Sequence, residues 1–390
     1  MSISQLPLGY CTNVHPGRSA AQVEAGLDRY TLPVRAALGR PLAAGLWLAQ
    51  PVVRELLGAP DGVARFADGL ARRNLSCHTL NAFPFGDFHS DRVKEKVYLP
   101  DWASSQRLDY TLQCATVLCA LLSEGGEGSI STLPLGFKGH EHAPDFMDRA
   151  IDRLIECARG LNGLRERLGK IIRLAIEPEP MCVLETTAEA IRFFQRLHER
   201  ADPSGALEFV RTHLGLCYDV CHQAVEFEDV SASIRQIDQA GIRINKVHIS
   251  CALQLNDPAN NAVGRAALLR YVESRYLHQT IARLPDGRII RATDLTQDLV
   301  NHPSLDFRTA PAWRVHFHVP VDAQRLGPLG TTRDDLKRAL SAVASLDYAP
   351  HLEVETYTWD VMPGEAPGDL AAGLMREMVS ANEMVEEATA

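Results

Sequence analysis

Four short apolar runs each end in a side chain that can hold a proton or a metal ion. Leu214–His222 (LGLCYDVCH) stops in Asp219 and carries His222 in a D-x-x-H spacing. Ile171–Glu177 (IIRLAIE) ends in Glu177, Ile244–Ser250 (INKVHIS) bears His248, and Leu352–Thr356 (LEVET) bears Glu355. A buried strand that stops in acid or imidazole puts polar groups where it leaves a sheet. In α/β folds that edge is where sites are built. Each run alone also reads as a solvated strand end. Together, Glu177, Asp219, His248 and Glu355 suit one divalent ion (Mn, Mg, Co, Fe or Zn) with room for substrate oxygens. Such an ion polarises a carbonyl, and flanking carboxylates can move a proton at the neighbouring carbon.

The elements that must carry these residues alternate. Leu8–Val14, Gly45–Ala49, Ser76–Ala82, Ser129–Leu135, Ile171–Glu177, Leu214–His222 and Ile244–Ile249 read as strands, with helical patterns between them. Ser19 is the expected cap of the first helix. Asp101 is expected to cap Trp102–Leu122, and Thr187 the helix after strand five. Gly241 is expected to close the helix Ser231–Gln239. The rhythm breaks after strand seven, because LEVET lies far beyond His248. The gap holds a hairpin signal, Leu284-Pro285-Asp286-Gly287 between HQTIAR and RIIRAT, and a strand-like run WRVHFHVPV. Thr332 with Asp335 resembles a capping box for Leu336–Ser345, and Pro367–Ala388 reads as a closing helix. Eight strands alternating with helices predict a single (β/α)8 TIM barrel over 1–390, with an insertion over 253–328 before the last strand, near the active-site end. An open doubly wound sheet is the alternative. The barrel is favoured because four strand ends must converge.

Composition narrows the function classes. Of 390 residues 46% are hydrophobic and 23% charged, and the net charge is −9, so no global nucleic-acid footprint shows. Nine scattered cysteines without a CxxC pair read as a reduced, cytoplasmic chain. MSISQLPLGYCTN lacks the basic and apolar regions of a signal peptide. No apolar stretch approaches a membrane span.

The pieces LAIEPEP, YDVCH, NKVHIS and DYAPHLEVET, in this order, resemble the xylose isomerase-like barrel superfamily, which joins sugar isomerases and epimerases to apurinic endonucleases. The placing of Tyr348 before the last strand favours Glu355 over Glu353 as the final ligand. The runs YCTNVHPG, VKEKVYLPDW, YLHQ and HFHVP resemble EboE-type metabolite traffic proteins within it. The resemblance implies that Glu177 and Glu355 bind metal and form the acid–base pair, and that His222 orients a substrate oxygen. The arginine that many epimerases place after the strand-seven histidine has no counterpart, since SCALQLND follows there. The endonuclease branch needs histidines at the ends of strands three and four. Those ends read LNAF and LPL, and His140 and His142 lie farther out, so a three-zinc site is disfavoured.

Further candidates are weighed against plainer readings. His316 and His318 alternate with apolar residues, which puts both on one strand face: either a lid strand aimed at the pocket or the polar side of a half-buried strand. His15 lines the pocket or caps a turn, with the turn favoured. Asn81 and Trp359 join His15, His316 and His318 as candidate substrate contacts. Glu179 and Glu353 stand two residues from a chosen ligand and replace it if the register slips. Lys138 and the GPLGTT run are anion-site candidates, each better read as ordinary surface chemistry or a plain cap. The expected function is a divalent-metal-dependent isomerase or epimerase on a sugar, polyol or cyclitol-like molecule, in a biosynthetic or metabolite-export pathway. A metal-dependent hydrolase or phosphodiesterase, and a non-catalytic binding protein, are the alternatives. A small molecule is the expected partner, with no nucleic acid and no membrane insertion; a homo-oligomer stays open.

Overall fold

The computed structural model describes residues 3–364 and 370–389. Eight parallel strands close into a barrel. They are β1 (Gly9–Cys11), β2 (Ala43–Trp47), β3 (Thr79–Asn81), β4 (Glu127–Thr132), β5 (Ile171–Ile176), β6 (Leu214–Asp219), β7 (Ile244–Ile249) and, last in the chain, β14 (His351–Val354). Around the ring the order is β1-β14-β7-β6-β5-β4-β3-β2. β6 and β7 are buried along their whole length, as expected of parallel strands covered by helices.

Between β7 and β14 the chain builds a second, antiparallel sheet. Its strands are β8 (Cys251–Asn256), β9 (Thr280–Arg283), β10 (Ile289–Ala292), β11 (Ala312–Val319), β12 (Arg325–Leu326) and β13 (Leu329–Thr331), in the order β10-β9-β11-β8-β13-β12. The sheet thus spans more than 253–328: only Ser250 separates β7 from β8. The expected hairpin pairs β9 with β10, and Gly287 takes the positive φ of 88° that its turn demands. GPLGTT is no helix cap for an anion; it forms the β12–β13 turn and β13 itself.

Several expected caps move. Ser19 accepts from the Gln22 N–H as expected. Ser104, not Asp101, caps the helix Ser105–Leu121, because Asp101 is spent on a turn with the Ala103 N–H. Thr186, not Thr187, makes a capping box with Glu189, and the Thr187 hydroxyl instead donates to Glu228. Thr332 starts the helix Arg333–Ala344 without capping it. Its hydroxyl accepts from the Ala252 N–H and ties that helix to the second sheet. The closing helix is described over Leu370–Thr389; its expected start at Pro367 lies outside the described residues. All nine cysteines are buried free thiols. Among the described residues no helix is long and apolar enough to cross a membrane.

Candidate metal centre

The four strand-end residues meet. Glu177 follows β5 directly and its N–H bonds to Thr132 O. Asp219 ends β6 and caps the short helix Val220–Val225, accepting from the His222 N–H at 3.1 Å and from the Ser250 hydroxyl at 2.7 Å. His248 lies within β7, and Glu355 follows β14. The Nδ1 atom of His248 stands 3.1 Å from Glu177 Oε1, 3.3 Å from Asp219 Oδ2 and 3.0 Å from Glu355 Oε2. One donor atom from each of the four lies within 4.8 Å of all the others. Asn13 and Asn81 both donate to Glu355 Oε1, at 2.9 and 2.8 Å, which leaves Oε2 for the centre.

The electrostatics fit a cation. Three buried carboxylates face one imidazole, and Glu177 Oε2 and Asp219 Oδ2 have no hydrogen-bond partner. Burial pushes the Glu177 carboxyl up to about 7, against the pull of His248 and with the help of Glu355 and Asp219. Burial also disfavours a charged His248. The carboxylates of Glu355 and Glu177 outweigh it and hold the imidazole well above its usual range. Burial and Glu355 thus oppose ionisation of Glu177, while the site as a whole draws in positive charge, which a proton or a divalent ion can supply. The donor set of three carboxylates and one imidazole suits a hard or borderline divalent ion. Cys217 stays a thiol, since burial pushes it up to about 12, so it adds no thiolate.

Glu353 points the other way, into the barrel interior. It pairs with Lys246 at 2.7 Å and lies 3.2 Å from His248 Nε2. Gly45 in β2 makes room for it: a Cβ there would fall 1.5 Å from Glu353 Oε1. Glu179 stands across the cavity and accepts from Tyr98 at 2.6 Å. The structure therefore brings Glu177 and Glu355, rather than Glu179 or Glu353, to the common centre.

Three imidazoles gather beside it. The inserted strand β11 carries a bulge between Val315 and His318, and His316 and His318 both come to His222. His222 Nε2 lies 3.0 Å from His316 Nε2, which lies 3.2 Å from His318 Nε2. The Nδ1 atoms face the carbonyls of Pro178 and Glu355 and the side-chain oxygen of Gln279. Each Nδ1 then donates, so where His222 and His316 are neutral their Nε2 lone pairs point at one another. Burial holds His222 down to about 4 and His316 well below its usual range, so both are neutral at pH 7. This too is an arrangement that a cation relieves.

A cavity of about 500 Å³ opens from the centre and is lined by Asn13, Asn81, Glu177, Glu179, His222, His316 and Glu355 among others. Two expected contacts lie elsewhere. The His15 ring packs on Tyr30 and meets the Tyr10 hydroxyl at 3.0 Å, because the chain turns into a 3-10 segment, Thr12–Val14, right after β1. The Trp359 indole donates to Glu377 at 2.9 Å and packs against Gly373, tying the last loop to the closing helix. Lys138 pairs with Glu185 and Glu189. Asn13, Tyr98 and Gln279 escaped the sequence reading. Tyr98 lies in the aromatic, polar stretch Phe83–Trp102 that follows strand three and Gln279 in HQTIAR, but nothing in the spacing singled them out.

Comparisons with known proteins agree on the fold. No protein-family model and no curated protein matches the chain. Among solved structures, a xylose isomerase-like TIM barrel protein from Mycobacterium smegmatis in complex with magnesium aligns over 100% of both chains, with 13% identity and a TM-score of 0.54. The IOLI protein with a binding zinc atom aligns over 98% of this chain and 99% of its own, with 12% identity and a TM-score of 0.50. This chain has the xylose isomerase-like TIM-barrel fold.

Proposed function

We propose that the protein is a divalent-metal-dependent isomerase or epimerase of a small polyhydroxylated molecule. The observation that carries this is the His248 Nδ1 atom ringed by three carboxylates at 3.0–3.3 Å, at the floor of a cavity. Glu177, Asp219, His248 and Glu355 would hold the ion, which supplies Lewis-acid polarisation of a substrate carbonyl. Glu177 and Glu355 reach the centre from different strands, β5 and β14, so one takes the proton from the carbon next to the carbonyl and the other returns one. Asn13 and Asn81 fix the Glu355 carboxylate. The cavity is walled in part by the region inserted between β7 and β14, through Tyr276 and Leu277 ahead of β9 and His316 in β11, which narrow it and exclude polymeric substrates. The resemblance to EboE-type proteins rests on the sequence runs alone and is consistent with a biosynthetic small molecule.

The test is deuterium exchange. Zinc- or manganese-loaded protein incubated with a panel of ketoses, aldoses and inosose-type cyclitols in D₂O should label the carbon next to the carbonyl. Labelling should need the ion and vanish in Glu177→Gln. Protein that holds its ion yet labels no member of the panel would overturn the reading.

A second reading, a metal-dependent hydrolase, is favoured by the three facing imidazoles. They offer a place for a second ion beside the first, as two-metal hydrolases require. Two bound ions per chain with release of a cleaved product would move the weight to it.

A further inference from the structure

We infer that the cavity selects an unphosphorylated polyhydroxylated head that carries an apolar aryl or alkyl substituent. This deepens the isomerase reading and rests on it only for placing the head at the ion centre. The cavity is divided. Its floor is polar, with Asn13, Asn81, Glu177, Glu179 and Glu355. Its outer wall is Phe83, Phe88, Val93, Val97, Tyr276 and Leu277. Three rings make one apolar face: Phe88 lies 4.9 Å from Tyr276 and 5.3 Å from Tyr357, and those two lie 5.0 Å apart. The Tyr276 hydroxyl is engaged, donating to Phe88 O, and the Tyr98 hydroxyl beside the polar residues donates to Glu179.

A phosphate finds no partner here. Among the described residues Lys94 is the one lysine or arginine lining the cavity, and it is committed to Glu273 O, Tyr276 O and Asp294, at 3.1, 2.6 and 2.6 Å. At the short helix beside the centre, the Cys221 N–H goes to Ser250 and the His222 N–H to Asp219. A dianion would meet three carboxylates on the floor and rings on the wall, unpaired and desolvated. A hydroxylated head suits the floor, and a hydrocarbon suits the wall.

Titration calorimetry of the zinc-loaded protein tests this with methyl, propyl, hexyl and phenyl β-D-glucosides and β-D-galactosides, and with glucose 6-phosphate and galactose 6-phosphate. Affinity in at least one series should rise with chain length, by about fourfold per buried methylene. Val97→Asp should flatten that rise while zinc content is unchanged, which also shows that the variant is folded. A flat series, no binding by any glycoside, or tighter binding of either 6-phosphate overturns the inference. Glycoside binding without deuterium exchange on any substrate would sink the isomerase reading and leave this one standing. Exchange confined to phosphorylated sugars would do the reverse.

Discussion

Two groups of buried charge lie one layer apart in the barrel, and they are built to opposite rules. In the lower layer Lys246 and Glu353 match one to one at 2.7 Å. Burial disfavours charge on both, but Lys246 overrides it and holds Glu353 down at about 2, while Glu353 in turn raises Lys246. In the upper layer three carboxylates share one imidazole, and Glu177 rises to about 7. Glu353 reaches from below to His248 Nε2 and so links the two layers. A matched pair serves the fold. An unmatched set held in place by Asn13, Asn81 and Ser250 serves a ligand that brings its own charge.

The largest expected effect breaks the lower layer. Lys246→Met leaves Glu353 buried without its partner and should destabilise the chain by about 3–5 kcal/mol, read by urea unfolding. Glu353→Gln in the same chain should restore most of that. If Lys246→Met is as stable as wild type, the lower layer is not structural.

The upper layer should respond the other way. Glu177→Gln removes a charge that the ion-free protein does not balance, so its ion-free melting temperature should hold or rise. Zinc affinity should fall about 100-fold or more, read by competition with a chelator. A fall in ion-free stability like that of Lys246→Met would erase the distinction between the layers.

Proton competition is the next effect in size. Below about pH 7 Glu177 is protonated in the ion-free protein, and His248 is protonated well above its usual range. Binding must displace both protons. Zinc affinity should therefore fall as pH drops, by about tenfold per unit for each displaced proton, with the slope steepening through pH 7. A slope that does not steepen between pH 8 and 6 would mean that Glu177 is not a ligand.

How much of this was legible in the sequence follows the same division. The four ligands were readable because each ends an apolar run, and a closed parallel barrel brings such ends together. Glu177 was separable from Glu179, and Glu355 from Glu353, only by register, which the resemblance supplied and the structure decides. His316 and His318 were visible as a pair, but their meeting with His222 depends on the bulge in β11, and the spacing does not show a bulge. His15 and Trp359 were misplaced because a polar residue past a strand end can turn outward as readily as inward. Asn13 was hidden in a run read as strand, where the backbone coils into a 3-10 turn and aims its amide at Glu355.

Trp359 gives the smallest effect. Trp359→Phe removes one donor to the buried Glu377 and should cost about 1–3 kcal/mol of stability without changing zinc affinity. A weaker ion site in that variant would return Trp359 to the functional residues.

The central claim is that one divalent ion sits among Glu177, Asp219, His248 and Glu355. Crystals grown with zinc and measured at its absorption edge test it most directly. The account predicts an anomalous peak about 2.0–2.2 Å from His248 Nδ1 and from one oxygen of each carboxylate. A second peak among His222, His316 and His318 would favour the hydrolase reading. Density without an anomalous peak at the first position, in crystals of zinc-saturated protein, would contradict the account.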